Sequence, residues 1–468
     1  MRSFSTPSTA AAIPSHAMSA NHFTIAMRFA VGIGIVVAYY LGVPAVVRGA
    51  EPWTLDRAVA TALKNSPDAR IARQRSEGAE AMIEQARSAW LPQVSVSGRY
   101  MDTNSPMMAF GSILNQRAFN FGLDFNHPGR IDDLNATGTV AYNLYSGGRA
   151  SAGLSAAKSG ALAAEQDLRA AQEQLGRDVV KAYLGIRNAR EAVDAIAAGV
   201  KAYEAAVTAA RARFDAGQML KSDLLSLEVQ VAQTRENLSA ARHGAALAER
   251  AFRFVLGLDA SADAVELAAD DPALASLAMP DTGDFSQRPE LAGLRERIRA
   301  AEAMVRAARG GRLPTVNAFA SYQYDQGWQL DHHGDSWMAG VSVDLNVFDG
   351  GQTSGKIRQA SADLAQVKEM LRKATLGIGL EVEQARLAHD DAVERLAVST
   401  RSVEQADESA MLTRARFEKG DVLIADLIGV EGRLIEARMR RAVAAADERI
   451  ALAELRCALG LPLFTSTL

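Results

Sequence analysis

Residues 211–228 read Arg-Ala-Arg-Phe-Asp-Ala-Gly-Gln-Met-Leu-Lys-Ser-Asp-Leu-Leu-Ser-Leu-Glu, and residues 414–431 read Arg-Ala-Arg-Phe-Glu-Lys-Gly-Asp-Val-Leu-Ile-Ala-Asp-Leu-Ile-Gly-Val-Glu. Arg211, Arg213, Phe214, Gly217, Leu220, Asp223, Leu224 and Glu228 return at Arg414, Arg416, Phe417, Gly420, Leu423, Asp426, Leu427 and Glu431. Each copy closes one long run of helical pattern rich in Ala, Arg, Glu and Leu and opens another. Glycine adopts the left-handed conformation that ends a helix at no steric cost. Ser222 or Asp223, and Asp426 in the second copy, are expected to cap the following helix by accepting free backbone N–H bonds. Each copy therefore predicts the tip of a hairpin of two antiparallel helices.

Internal repeats outrank length in setting architecture, so two halves replace the roughly three domains suggested by length alone. Residues 1–50 are expected to be a secretory signal, because Arg28 precedes an apolar run from Phe29 to Val47 that small residues follow up to Ala50. The first repeat, 51–258, is expected to hold a short helix from Thr54 to Leu63 and a second from Pro67 to Trp90. A β-hairpin over 92–146 follows, then a long helix to Ala216, a tip over 214–224 and a helix from Ser222 to Leu256. An acidic linker, 259–284, leads to the second repeat, 285–462. That half is expected to hold a helix from Pro289 to Arg312, a hairpin over 314–348, a long helix to Lys419, a tip over 417–427 and a last helix ending at Leu459. Residues 463–468 are a tail. The strands are read from two-residue alternation, as where Val94, Val96, Gly98 and Tyr100 alternate with Ser95, Ser97 and Arg99. The stretch from Met101 to Asp133 has no steady period and reads as a long loop.

A net charge of −4 and a pI near 6.1 give no electrostatic support to a nucleic-acid partner. The single cysteine, Cys457, lies in a helical run and reads as a small buried hydrophobe, with no intrachain disulfide or thiolate cluster possible. His332 and His333 fall in the expected second outer loop near Asp331 and Asp335, without the spacing of a metal cluster. No Ser-His-acid motif or phosphate-binding glycine loop stands out, and no catalytic residue, metal or cofactor is expected.

Each long helix spans about 100 Å at 1.5 Å per residue, which no compact domain accommodates. Four strands with one apolar and one polar face do not close a pore alone, and open edges do not persist in lipid. Three chains supply twelve strands, an even number that suits a barrel with an apolar exterior and a polar interior. The expected fold is mainly α with a membrane β-barrel: long helical hairpins plus four strands per chain, closed as a trimer.

The duplicated Arg-Phe-x-x-Gly-x-x-Leu-x-x-Asp-Leu tip, the junctions Leu91-Pro92 and Leu313-Pro314, and the junctions Gly147-Gly148 and Gly350-Gly351 together resemble the TolC-like outer-membrane efflux protein family. The resemblance covers roughly Trp53 to Leu461 and includes the loop segment from Ala109 to Gln116. It implies a homotrimeric duct in the cell outer membrane, in contact with lipid, whose helical barrel stands in the periplasm. It further implies docking to a periplasmic adaptor protein and an inner-membrane pump. By the same resemblance Asp223 and Asp426 form a periplasmic gate. Arg213, Phe214, Gly217 and Leu220, with Arg416, Phe417, Gly420 and Leu423, make up the adaptor-contacting tips. A further acidic position of some members falls on Gly429, and an arginine two residues past the second tip glycine falls on Val422.

Plainer roles compete with these. The two aspartates are expected as helix caps, Arg213 and Arg416 as partners of their own helix dipoles, and Phe214 and Phe417 as packing within each hairpin. Efflux of small toxic compounds is the leading reading, with the outer-membrane component of type I protein secretion as its rival. A coiled-coil scaffold without a channel is the rival of another class, and it leaves the four symmetrically placed strands without a purpose.

Overall fold

The computed structural model describes residues 52–124, 126–259, 265–269 and 284–463. The signal expected over 1–50, residues 464–468 and most of the expected linker lie outside them. Helix α1 (Leu55–Asn65) starts at Thr54, whose side chain accepts from the Arg57 N–H. Pro67 opens α2 (Pro67–Ser88), where its missing N–H costs nothing. Strand β1 (Gln93–Thr103) follows. The connection to β2 (Ile131–Tyr145) is not the plain loop that its irregular period predicts: it contains α3 (Pro106–Asn115). At ten residues, with Met, Phe and Ile on several sides, α3 leaves no clear helical stripe for sequence reasoning to find.

Helix α4 (Arg149–Asp215) turns at the first tip into α5 (Lys221–Val255). The second half repeats the order as α6 (Pro289–Arg309), β3 (Thr315–Gly327), β4 (His332–Asp344), α7 (Gln352–Lys419) and α8 (Ile424–Ala458). His332 and His333 belong to β4 rather than to an outer loop, because the β3–β4 ladder continues out to the pair Gly327 and His332.

The strands form one antiparallel sheet in the order β1-β2-β3-β4, leaving β1 and β4 as edges. Each hairpin enters its long helix through two glycines of positive φ, 66° and 78° at Gly147 and Gly148 and 64° and 87° at Gly350 and Gly351. A side chain four residues before the helix's second residue ties each junction. Ser146 Oγ accepts from Ala150 N at 3.0 Å, and at the repeat-related place Asp349 accepts from Thr353 N at 2.8 Å.

The repeats differ in what surrounds their long helices. Helix α4 packs on α1, α2, α5, α6 and α8, whereas α7 packs on α6 and α8. Accordingly α4 buries nineteen residues and α7, of nearly equal length, only six. Leu376, Leu380, Leu387 and Met411 of α7 stand exposed. The largest core joins Leu55 of α1, Val179 and Tyr183 of α4, Phe252 of α5 and Leu452 of α8. Part of the expected linker belongs to it. Val265 is buried there, Trp53 N donates to Glu266 O at 2.7 Å, and Ala268 N donates to Trp53 O at 2.9 Å. The Cys457 thiol is buried, and burial pushes its pKa up to about 11.

Arg288, at the entrance to α6, is almost fully buried and ties three helices of the second repeat together. It donates to Glu290 at 2.7 Å, to Glu381 of α7 at 2.8 Å and to the carbonyl of Ala458 in α8 at 3.3 Å. Burial works against charge on Glu290, yet the Arg288 guanidinium holds that carboxyl below its usual range. Glu173 of α4 has the opposite balance: burial first, and then the Glu290 carboxylate, raise it. A carboxyl raised by folding binds its proton more tightly in the folded chain, so the fold gains stability as pH falls through the folded value. Above that window the charged form is a liability. Glu173→Gln is therefore expected to raise the thermal midpoint at pH 7, the gain fading as pH is lowered through the ordinary carboxylate range. Melting followed by circular dichroism across pH checks it.

Candidate functional site

Both hairpin tips have the same construction. Helix α4 closes with Gly217 N donating to Phe214 O at 2.9 Å and Gln218 N to Arg213 O at 2.8 Å; α7 closes with Gly420 N to Phe417 O at 3.0 Å and Asp421 N to Arg416 O at 3.0 Å. This paired bonding satisfies the last carbonyls only if the glycine is left-handed, and φ is 72° at Gly217 and 89° at Gly420.

The next helices begin three residues earlier than capping by Asp223 or Asp426 requires. Leu220 and Leu423 occupy the N-cap positions in extended conformation, and neither helix has a side-chain cap bond. Asp223 and Asp426 instead sit in the first helical turn, their own N–H groups donating to the Leu220 and Leu423 carbonyls at 3.2 Å. The expected capping role is thus corrected. Negative charge there is still favoured by the helix dipole, and their carboxylates are left free of the backbone.

Phe417 is buried in a core drawn from both hairpins: Tyr203, Leu224 and Leu227 from the first, Ile424 and Leu427 from the second. Phe214 lies at its margin. The expected packing within each hairpin is therefore, for Phe417, packing between hairpins. Arg213 also crosses over. Its guanidinium donates to the Phe417 carbonyl at 3.3 Å and stands 5.8 Å from the centre of the Phe417 ring. It thus serves the C-terminus of α7 instead of its own helix, whereas Arg416 is exposed. Tyr203 completes the link by donating to the Ile428 carbonyl at 2.9 Å. Burial, and then the nearby Glu431 carboxylate, push the Tyr203 hydroxyl up to about 12.

The repeat also encodes an ion pair that its bare sequence does not disclose. Arg211 pairs with Glu228 across the first hairpin and Arg414 with Glu431 across the second, each seventeen residues apart. The recurrence of all four residues was the available signal, but only antiparallel helices bring such a spacing together. The first pair is exposed; in the second, Glu431 is buried and its carboxylate raises the Arg414 guanidinium. At the extreme end, Leu220 is 69% exposed and Leu423 73% exposed.

At the other end of the molecule the sheet has two unlike faces. Val96, Tyr100, Val140, Tyr142, Tyr322, Trp337 and Val341 project on one side and are exposed. Ser97, Asn135, Thr137, Ser321 and Gln323 project on the other. Such a contiguous apolar surface marks an interaction site rather than a solvated face. Among the described residues no helix is long and apolar enough to cross a membrane.

The family model described as "Outer membrane efflux protein" matches residues 58–258 and 285–461. The chain is 27% identical over 273 residues to outer membrane efflux protein BepC of Brucella suis, covering 54% of this chain and 58% of that one. It is 27% identical over 331 residues to fusaric acid resistance protein FusA of Burkholderia cepacia, covering 66% of this chain and 58% of that one. The match thus spans 58% of the length of each relative. A crystal structure of CusC superposes with a TM-score of 0.74 at 16% identity, covering 87% of this chain and 92% of that one, which is a likeness of fold.

The two ion pairs are expected to differ in worth. Glu431→Gln, which strips charge from a half-buried pair, should destabilise by about 1.5–3 kcal/mol, and Glu228→Gln, in an exposed pair, by less than about 1 kcal/mol. Thermal melting of the two variants side by side checks the order.

Proposed function

The chain belongs to the outer membrane efflux protein family, and on that premise we propose that three copies form a continuous duct from the periplasm through the outer membrane. The observation that carries this reading is the two-faced sheet with free edges, joined directly to helices long enough to cross much of the periplasm. Strands of 11 to 15 residues meet or exceed the roughly 9–11 that a tilted membrane strand needs. Pairing β4 of one copy with β1 of the next satisfies both edges and closes twelve strands, apolar face to lipid and polar face to the lumen. The exposed flank of α7, beside which α4 is surrounded, is the natural seat of a neighbouring copy's helices.

The tips are the gate in this proposal. Threefold symmetry brings three copies each of Asp223 and Asp426 to one narrow end, where converging carboxylates attract cations. The exposed Leu220 and Leu423, flanked by the tip glycines and arginines, are the apolar points that a periplasmic adaptor would cover, with an inner-membrane pump behind it. The cargo proposed is small toxic compounds. FusA, named for fusaric acid resistance, supports that class over secreted proteins. The role is transport, with no catalytic step.

Deleting the gene in a strain without redundant homologues is expected to increase retention of at least one toxic compound; unchanged retention across a broad panel argues against the efflux role. Replacing both Asp223 and Asp426 by Asn removes charge and keeps shape. The purified double variant in a planar bilayer is expected to remain a trimer while losing cation selectivity and block by multivalent cations. Unchanged selectivity places the constriction elsewhere.

A further inference from the structure

Where the sheet joins the helices, its polar face and the adjoining turns of α2 and α4 border a cavity of about 590 Å³, within the roughly 300–1,000 Å³ typical of ligand sites. Register places it on the polar face: Gln93 pairs with Ala141, Ala141 with Phe319 and Asn143 with Asn317, in the same alternation that carries Ser97, Thr137 and Ser321. Small residues give it depth, Ala86 and Ala89 from α2 and Ala150 and Gly153 from α4. Two larger ones give it chemistry. Arg149 is the only charged residue of the lining, in which no Asp or Glu takes part. Its Nε donates to the Ser146 carbonyl at 2.9 Å, and among the described residues its terminal nitrogens meet no carboxylate. Phe319 brings an aromatic ring to a face of Asn, Ser and Gln side chains, and it leans over Gly340, where a Cβ would come within 2.9 Å of the Phe319 Cζ. Asn143 donates one amide hydrogen to the Asn317 side-chain carbonyl at 2.9 Å, which leaves the Asn317 amide nitrogen as a further donor.

The repeat requires neither residue. Gln352 holds the place of Arg149 in the second half, and Ser97 holds that of Phe319 in the first. A guanidinium with free terminal nitrogens grips a carboxylate through two parallel N–H bonds, and a ring on the same wall stacks on an aromatic partner. We propose that this cavity is a lumenal subsite for aromatic carboxylates, Arg149 holding the carboxylate and Phe319 the ring. The proposal rests on the duct reading, which turns the polar face inward, and adds the class of compound that pauses where the helical tube enters the barrel. In the trimer three such subsites ring the passage. Their charge is opposite to that of the tips, so an anion that has passed the open acidic gate is drawn on toward the barrel.

Calorimetric titration of the full chain in lipid nanodiscs, with the signal of empty nanodiscs subtracted, tests the subsite with naphthoate and its uncharged analogue naphthylmethanol. Wild type is expected to bind naphthoate saturably. Arg149→Gln, which installs the residue of the second repeat, is expected to weaken naphthoate by roughly tenfold or more, the scale of a lost charge-assisted bond, and naphthylmethanol far less. Phe319→Leu is expected to weaken both. Gly153→Phe fills the cavity from a helix position where a Cβ meets nothing within 4 Å, and is expected to abolish binding of both. Naphthoate binding that is unchanged in Arg149→Gln or in Gly153→Phe overturns the subsite, as does a wild type that binds no more than empty nanodiscs; trimers that conduct in planar bilayers leave the duct reading standing in each of these cases. A wild type that is monomeric and does not conduct overturns the duct, and the subsite's place in it.

Discussion

Hydrocarbon offers no hydrogen bonds, so every backbone N–H and C=O of a strand placed in it must be satisfied by another strand. A sheet ordered β1-β2-β3-β4 meets that demand for its inner ladders and fails it along two edges. The apolar face of Val96, Tyr142 and Trp337 nevertheless calls for lipid. In the proposed trimer the conflict is resolved by assembly, and the rest of the molecule is consistent with it. Helix α4 is enclosed by five helices of its own chain, while α7, its repeat-related counterpart, keeps a flank of exposed leucines. The two halves are similar, and the incomplete surroundings of α7 are where the proposed trimer seats the next copy.

The two ends of the chain solve opposite problems. At the sheet, polar side chains share one face and a charge-free helix is anchored over them by Gln116, Arg117 and a three-residue core. At the tips, burial holds the hairpins together: Phe417 is shared between them, Arg213 serves the neighbouring helix's terminus, and Tyr203 bonds across. Opening of the proposed gate therefore means separating two hairpins that share one core, and the contacts that resist it lie within a single chain. The family's arginine position past the second tip glycine is Val422 here; Arg213, from the other hairpin, makes a cross-hairpin contact in the same region.

The second repeat is tied together at Arg288, where one guanidinium serves Glu290, Glu381 and the end of α8. A buried cation with three partners fixes the junction of the second repeat. The first repeat has Ser66 at the corresponding place before Pro67, and its junction relies on apolar packing around Leu55 and Phe252 instead. The same ancestral plan is thus stabilised by different physics in its two copies.

The sequence by itself determined the plan. Periodicity of two and of 3.6, the tip glycines and the paired Gly-Gly junctions placed the strands and long helices, because these signals depend on local backbone geometry alone. The aspartates are legible at the tips, but the capping role that the sequence suggests for them is not the one the fold gives. A cap position depends on where the preceding turn delivers the chain, and here that turn delivers Leu220 and Leu423. Helix α3 escaped notice because its ordering comes from Ile131, Asp133 and Asp335, which no window around residues 106–115 contains. The Arg–Glu pairs seventeen residues apart, the reach of Arg213 to Phe417, and the contrast between α4 and α7 were likewise decided only by tertiary structure. Each depends on which helix lies beside which, and identical local patterns are compatible with more than one neighbour.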